Sequence, residues 1–408
     1  MAIRSLSWVL TAVKRGVKIF RYGTGSKAWA HWFRHAGGQV APSGRVTIAD
    51  VAAASGVGVG TVSRVINGGA NVRESTRRTV LGVIKQLGYR PSYLAASLSR
   101  GTPRTVAIVV PHLTTPSAVM RLAGALTVLG EQGYDTVVCN VDTAGQRDHH
   151  LTALTSRYRV DGVIVVSLRL SRRWLALFRR AGVPLVAVDV AFARVPHTVT
   201  DDVAGGRMAT GHLLSLGHRR IGFVGDTRRL AARDHLGFTA SNERLRGYQE
   251  ALEQAGIGYD PGLVRRGPHG AANAEAFATE LLSLPDPPSA IFAASDTQAM
   301  GVLAAADRAG RPVPGELSVI GFDDIESAML LGLSTVRQPL EDSGAAAARR
   351  LCAMLRGEPI GRLRQQLPLE VVHRSSTARL RGSGPPAAGA NVGNAARMTG
   401  AGAAGRTT

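Results

Sequence analysis

Positions 59–67 of the chain read VGTVSRVIN. Wound at 3.6 residues per turn, this stretch turns Val59, Gly60, Ser63, Arg64 and Asn67 outward and leaves Val62 and Val65 for a core. A hydroxyl, a guanidinium and an amide on one exposed face suit hydrogen bonding to base edges and phosphate oxygens. Such a face needs rigid support, and the flanking residues supply the signals for it. Thr47 and Asp50 have capping-box spacing, which opens a helix: the threonine hydroxyl caps the first turn and the acid three residues on answers it. Ala52 is small where two helices must touch, Gly56 permits a left-handed turn, and Val57 joins Val62 and Val65 in a shared core. The pattern predicts helix, tight turn, helix. A third amphipathic helix follows over 74–87, ended by Gly88, and a short fourth begins near Pro91.

Charge is distributed as this reading requires. The 408 residues carry 49 Lys+Arg against 29 Asp+Glu, a formal net charge of +20. Residues 1–45 contribute +8, 46–101 contribute +5, 374–408 contribute +5, and the long stretch 102–373 only +2. A small polyanion-binding module on a nearly neutral body is the expectation.

The body alternates continuous apolar runs with helical patterns. The runs begin at Thr105, Asp135, Asp161, Val183, Arg220, Ser289 and Leu317, and helical stretches fall at 117–132, 203–216, 241–255 and 297–309. Unbroken hydrophobicity marks strands covered on both faces, as in parallel sheets of α/β layers. Seven such strands fit two doubly wound subdomains, with a ligand expected between them at the carboxyl ends of strands.

Other features narrow the function class. Two cysteines, Cys139 and Cys352, cannot build a disulfide framework, and a reducing cytosol is the expected compartment. No apolar run approaches the roughly 18 residues of a membrane span. No Cys/His cluster has zinc-finger spacing, and no cofactor is expected. Gly56-Val-Gly-Val-Gly60 has neither dinucleotide-fold nor P-loop spacing and follows a helix, and neither G-x-S-x-G nor H-E-x-x-H occurs. Catalysis is unsupported. Residues 1–44 are expected to be a basic extension, disordered or read from a start upstream of the true one, because the stretch from Val40 reads like the beginning of a domain. Residues 380–408 are Gly/Ala-rich and are expected to form a disordered tail.

Taken together, VTIADVAAASGV at 46–57, TVSRVIN at 61–67 and LGYRP at 87–91 resemble the DNA-binding segment of the lac repressor (LacI/GalR) family of transcriptional regulators. The resemblance continues through RVDGVIV at 159–165, LGHRRI at 216–221, RLRGY at 244–248, GFDDI at 321–325 and TVRQP at 335–339, in the family's order and over roughly residues 46–375. It implies an α-helical helix-turn-helix DNA-binding domain (46–101, with a hinge helix at about 91–99) followed by an α/β periplasmic-binding-protein-like effector domain of two subdomains (102–375). It also implies a homodimer on a pseudo-palindromic double-stranded operator, a repressor by preference, controlled by a small sugar-like effector. Residue by residue, Val59, Gly60 and Arg64 would face bases. Thr47, Ser63, Asn67, Asn71, Thr76 and Tyr89 would face the sugar-phosphate backbone or support docking, and Leu98 would wedge between base steps. The effector contacts carried over are Thr115, Ser117, Asp189, Arg244, His269 and Asp296. Three departures stand out: Gly58 stands where many relatives have serine and loses a hydroxyl contact to phosphate, Gly60 replaces a larger reading residue, and the loop TTPSAV at 114–119 lacks the aromatics of the relatives' Asn-Pro-Phe-Phe pattern. The competing classes are a sugar-binding protein and an α/β enzyme, both of which leave residues 46–101 without a use.

Overall fold

The computed structural model describes residues 18–19, 46–66, 68–69, 71–89, 104–155, 159–227 and 239–380. The expected roles of Asn67, Leu98, the hinge helix, the basic extension beyond 18–19 and the tail after 380 lie outside the described residues.

Three helices form the amino-terminal module: α1 (Ile48–Ser55), α2 (Val59–Ile66) and α3 (Glu74–Gln86). The capping box forms as its spacing predicts. The Thr47 hydroxyl accepts from the Asp50 amide, and the Asp50 carboxylate accepts from the Thr47 amide at 2.7 Å. The Thr47 amide, and the Thr47 hydroxyl that also donates to the carboxylate, hold the Asp50 carboxyl below its ordinary value. Gly56 ends α1 at φ 63°, a left-handed conformation in which a side chain is strained. The reversal lets Val51 and Ala52 of α1, Val62 and Val65 of α2, Val80 of α3 and Tyr89 close one core, with Val57 packed against it.

A seven-stranded sheet comes next. Its strands are β1 (Lys18–Ile19), β2 (Thr105–Pro111), β3 (Asp135–Val141), β4 (Gly162–Val166), β5 (Leu185–Val188), β6 (His197–Val199) and β12 (Arg364–Gln366), ordered β1-β3-β2-β4-β5-β6-β12 with parallel neighbours. Helices α4 (Pro116–Glu131), α5 (Ala144–Leu154), α6 (Arg172–Ala181) and α12 (Leu340–Leu355) accompany it. Two apolar clusters line it, one under α4 and α12, the other under α5 and α6. Strands β2 and β4 are buried along their whole length, the two-sided cover that continuous hydrophobicity predicts.

The second sheet has six strands: β7 (Ile221–Asp226), β8 (Val264–Gly267), β9 (Ala290–Ala293), β10 (Ser318–Asp323), β11 (Ser334–Arg337) and β13 (Glu370–Val372), ordered β13-β11-β10-β9-β7-β8. Its helices are α7 (Asp202–Ser215), α8 (Ala240–Gln254), α9 (Ala271–Leu282), α10 (Asp296–Arg308) and the short α11 (Glu326–Leu330). The chain divides into two compact units, 1–202 with 227–243 and 337–370, and 203–226 with 244–336 and 371–408. All seven strands expected from hydrophobic runs are present. The strands the sequence reading omits are β1, β6, β8, β11, β12 and β13, none longer than four residues.

Glycines bring helices to backbone contact. A Cβ on Gly124 would lie 1.9 Å from the Glu341 carbonyl oxygen, and one on Gly344 would lie 1.8 Å from that of Arg121, so α4 and α12 lock reciprocally. In the second unit, Gly206 and Gly247 do the same for α7 and α8, at 2.2 Å from the Arg244 oxygen and 2.1 Å from the Val203 oxygen.

A histidine cluster, in which His218 is buried, His212 half-buried and His373 exposed, ties the end of the second unit to its sheet. His218 is 3% exposed. Its Nε2 lies 3.0 Å from the Ala378 carbonyl oxygen, which can only accept, so Nε2 carries the proton and Nδ1 accepts from the Ser289 hydroxyl at 2.9 Å. His212 meets the Thr377 hydroxyl at 3.0 Å and the His373 ring at 5.4 Å between centroids. Burial lowers the pKa of both His212 and His218, and the neighbouring histidines lower that of His212 further. Depressed folded-state values favour the neutral form. The stability these groups add is therefore complete above about pH 6.5, the unfolded value, and is lost as pH falls below it. The urea midpoint of the wild type is expected to drop between pH 7 and pH 5, and His218→Gln to flatten that drop; an equal slope in both proteins rejects the assignment.

Candidate nucleic-acid interface and effector subsites

The exposed face of α2 carries the residues its periodicity selects. Val62 and Val65 are buried, Val59 is 46% exposed, and Gly60 and Arg64 face solvent. Ser63 is half-buried. Arg64 lies back along its own helix, Nε donating to the Gly60 carbonyl oxygen at 3.2 Å. Asn71 is exposed and Thr76 half-buried. Thr47 is exposed, but its hydroxyl is engaged by Asp50, to which it donates at 2.8 Å. Tyr89 is only 9% exposed and belongs to the module core. Of the two roles the resemblance allows it, support of docking is the one its burial favours. Arg77 was missed in the sequence: its Nη2 donates to the Gly69 carbonyl oxygen at 2.7 Å, fastening α3 to the end of α2. No periodic signal marks such a backbone clamp.

In the first unit, backbone strain gathers at the carboxyl ends of strands. His112 after β2 (φ 44°), Ser167 after β4 (φ 50°) and Asp189 after β5 (φ 63°) are left-handed without being glycine. Residues held this way cluster at binding sites, because the surrounding fold must over-determine them. Asp189 Oδ2 accepts from the Ser167 hydroxyl at 2.7 Å, and Oδ1 lies 3.0 Å from Arg121 Nη2. Arg121 Nη2 also donates to Gln338 Oε1 at 3.1 Å, and the Thr200 hydroxyl reaches the same oxygen at 3.4 Å. Thr115 stands at the start of α4, its hydroxyl donating to the His112 carbonyl oxygen at 3.0 Å, and Ser117 is half-buried in the first turn. Sequence reading selects Asp189, Thr115 and Ser117 but passes over Arg121, Ser167 and Gln338.

The second unit holds Asp296, Arg244 and His269. Asp296 opens α10 and is fully buried; Ser295 caps that helix. The Asp296 carboxylate accepts from the Thr335 hydroxyl at 2.6 Å and the Ile325 amide at 3.0 Å. Burial, reinforced by the nearby Asp323 carboxylate, pushes its pKa up to about 7. A Cβ at Gly321 would fall 2.2 Å from Asp296 Oδ1, so a bare backbone is required there. Arg244 is 6% exposed, donates to the Ala294 carbonyl oxygen at 2.5 Å, stacks 3.6 Å from the Phe322 ring centroid and lies 3.8 Å from Asp323. Asp323 and Asp324 at the end of β10 are again left-handed, at φ 120° and 62°. His269 Nδ1 is 3.2 Å from Asp226 Oδ1, to which Gln298 also donates at 2.8 Å. Burial opposes a charge on His269, yet the Asp226 hydrogen bond and carboxylates hold its pKa above the ordinary value. Among the described residues, no group of His, Cys, Asp and Glu could hold a metal ion.

Comparison with known proteins finds relatives for both parts of the chain. Residues 47–92 match the model for bacterial regulatory proteins of the lacI family, and residues 210–377 match the periplasmic binding protein-like domain. The ribose operon repressor of Halalkalibacterium halodurans is 31% identical over 335 residues, covering 81% of this chain and 97% of that protein. The HTH-type transcriptional regulator CelR of Thermobifida fusca is 34% identical over 343 residues, covering 81% and 98%. Among solved structures, a CelR–cellobiose complex aligns with a TM-score of 0.59 at 34% identity over 81% of this chain and 100% of that one. The lac repressor dimer bound to operator and the anti-inducer ONPF aligns with a TM-score of 0.70 at 26% identity over 82% and 99%. The chain belongs to the LacI family of bacterial regulatory proteins, and it is a DNA-binding transcriptional regulator.

Proposed function

We propose that this regulator is a homodimeric repressor whose hold on a pseudo-palindromic operator is set by a small polyhydroxylated effector. The observation that carries the reading is the two-sidedness of α2. Val62 and Val65 are sealed in the module core while Val59, Gly60 and Arg64 stand in solvent, so the helix can enter a major groove without unpacking anything. Arg64 forks to a guanine, Val59 packs on a thymine methyl, and Ser63, Asn71 and Thr76 meet the backbone. Thr47 and Tyr89 support the docked pose. Asn67 and Leu98 keep the roles that the resemblance assigns them, a backbone contact and a base-step wedge.

The effector contacts are Thr115, Ser117 and Asp189 in the first unit and Arg244, His269 and Asp296 in the second. The relatives support the ligand class: one solved structure holds cellobiose and another, from Enterococcus faecium, holds ribose. The effector alters operator affinity only as far as it binds the two arrangements of the protein differently. The protein acts where the chromosome is, in the cytoplasm, and catalyses nothing. No described helix is long and apolar enough to cross a membrane.

A self-association surface is available at the end of α11 and the residue that caps it. Met329, Leu330 and Leu331 are 63%, 76% and 51% exposed, three adjacent large apolar side chains in water. Leu330→Asp is expected to shift the sedimentation coefficient from dimer to monomer and to weaken operator binding, since a monomer holds one half-site. A dimer of unchanged stability rejects α11 as the interface.

The direct test is a mobility-shift assay with the purified protein on genomic fragments. Specific binding that falls steeply between 50 and 200 mM salt supports the reading, while sequence-blind or absent binding overturns it.

A further inference from the structure

Arg121 is an anomaly in its helix. It sits among Ala118, Leu122 and Ala125 on α4, and it is 5% exposed. A buried guanidinium must find acceptors for its N–H groups, or the fold bears the cost of desolvating them. Nη2 carries both of its contacts found among the described residues, to Asp189 Oδ1 and Gln338 Oε1. Nε is buried and has no partner. Arg121 therefore holds Asp189 by a single point and not by the two-pronged fork that carboxylates and guanidinia prefer. Asp189 is occupied on its other side by Ser167, and its amide donates to the Thr198 carbonyl oxygen at 2.8 Å. The Thr198 hydroxyl is a second buried polar group without a partner, on the strand that pairs with β5 beside Asp189. Two orphaned polar groups thus flank one acid at the carboxyl ends of β5 and β6.

We propose that Arg121 is an effector-specificity residue, and that the effector carries an anionic oxygen group, carboxylate or phosphoryl, which accepts from Arg121 Nε while its hydroxyls address Asp189 and Thr198. This deepens the effector reading given above and rests on it. The chemistry follows from what the cluster has left to give. Both Asp189 oxygens already hold donors from the protein, whereas Arg121 holds an unused N–H of a cation in a site nearly free of water. An unmatched donor of that kind favours an acceptor with full negative charge over a neutral hydroxyl, because charged hydrogen bonds are about twice as strong as neutral ones. A sugar acid and a sugar phosphate both present such a group next to vicinal hydroxyls. A neutral disaccharide offers no charged partner for Nε.

The test is isothermal titration of the full-length protein with five probes: D-gluconate, D-glucuronate and D-glucose 6-phosphate against the neutral D-glucose and cellobiose. Each is then added to the operator shift assay. At least one anionic probe is expected to bind at least about tenfold tighter than either neutral one, and the carboxylate and phosphate arms report which head group the site takes. Arg121→Gln is expected to erase that preference. Arg121→Lys keeps a cation beside Asp189 but deletes Nε, so it separates the two roles: it is expected to fold, by circular dichroism and melting, and still to lose about tenfold of the anionic preference. A purely structural Arg121 would shift the melting temperature of both variants and leave the ratio of anionic to neutral affinity unchanged, which overturns the proposal. Tighter binding of glucose or cellobiose, or no binding by any anionic probe, overturns it as well. Loss of operator binding by the wild type is the separate result that would remove the regulator reading itself.

Discussion

Arg64→Ala is expected to weaken binding to the cognate operator by about 5- to 150-fold while leaving non-specific binding nearly intact. A bidentate arginine–guanine pair discriminates by ~1–3 kcal/mol, and Arg64 is the only exposed side chain on α2 able to form one. Gly60 beside it contributes no side chain, so little else on the helix can compensate. Among the described residues, the hydrogen bond found for the Arg64 side chain is an exposed one to the Gly60 carbonyl oxygen, so little must be broken there when it turns toward a base. The slope of log affinity against log salt counts phosphates neutralised, and a base-facing arginine adds little to it. Competitive shift assays at several salt concentrations check both parts. A loss confined to low salt, with discrimination between operator and random duplex preserved, would reassign Arg64 to the phosphate backbone. Arg64→Lys is expected to fall between, because an ammonium can reach both guanine acceptors from its single nitrogen but lacks the planar, pre-organised fork of a guanidinium.

Gly344→Ala is expected to destabilise the first unit by about 3 kcal/mol or more, at the upper end of overpacking substitutions. The added methyl would stand 1.8 Å from the carbonyl oxygen of Arg121, a backbone atom that cannot turn aside. Separating α4 from α12 would expose Ala125, Ala347 and Leu351, all buried there. It would also drag the Arg121 backbone, and with it the guanidinium beside Asp189. Gly82→Ala is the control: it lies exposed in α3 with nothing within 4 Å of the added carbon, and there alanine is expected to stabilise by about 0.5–1 kcal/mol. Chemical denaturation followed by circular dichroism separates the two. A Gly344→Ala protein as stable as wild type would show that the helix pair yields more easily than its packing indicates.

The parts legible from sequence were those where a local rule and the tertiary fold agree. Thr47 and Asp50 announce α1, Gly56 announces the turn, and unbroken apolar runs announce β2, β4, β5, β7, β9 and β10 because each must be covered on both faces. The short strands were illegible for the converse reason: β12 is Arg-Gln-Gln and β8 is Val-Arg-Arg-Gly, and their extended form comes from pairing with a neighbour. Asp189, Arg244 and Asp296 could be selected because each stands in a recognisable motif or at the end of a strong strand. Arg121 could not. Nothing local distinguishes it from a surface arginine on an amphipathic helix, and only the meeting of α4 with β5 and the segment at 338 reveals that it is enclosed. Tyr89 is named by the resemblance as a backbone contact or a support of docking, and only the closure of three helices over its ring favours the second of these.

Gly60 gives the recognition helix a blank position. A side-chain carbon there would meet nothing nearer than Arg64 Nη2 at 4.0 Å. Alanine is therefore sterically free there, and would strengthen the helix by about 1 kcal/mol. On the proposed reading, in which Gly60 faces bases, the target vocabulary of this regulator can drift through one codon without a penalty in folding, and a duplicated copy of its gene could acquire a new set of promoters before its sensory half changed at all.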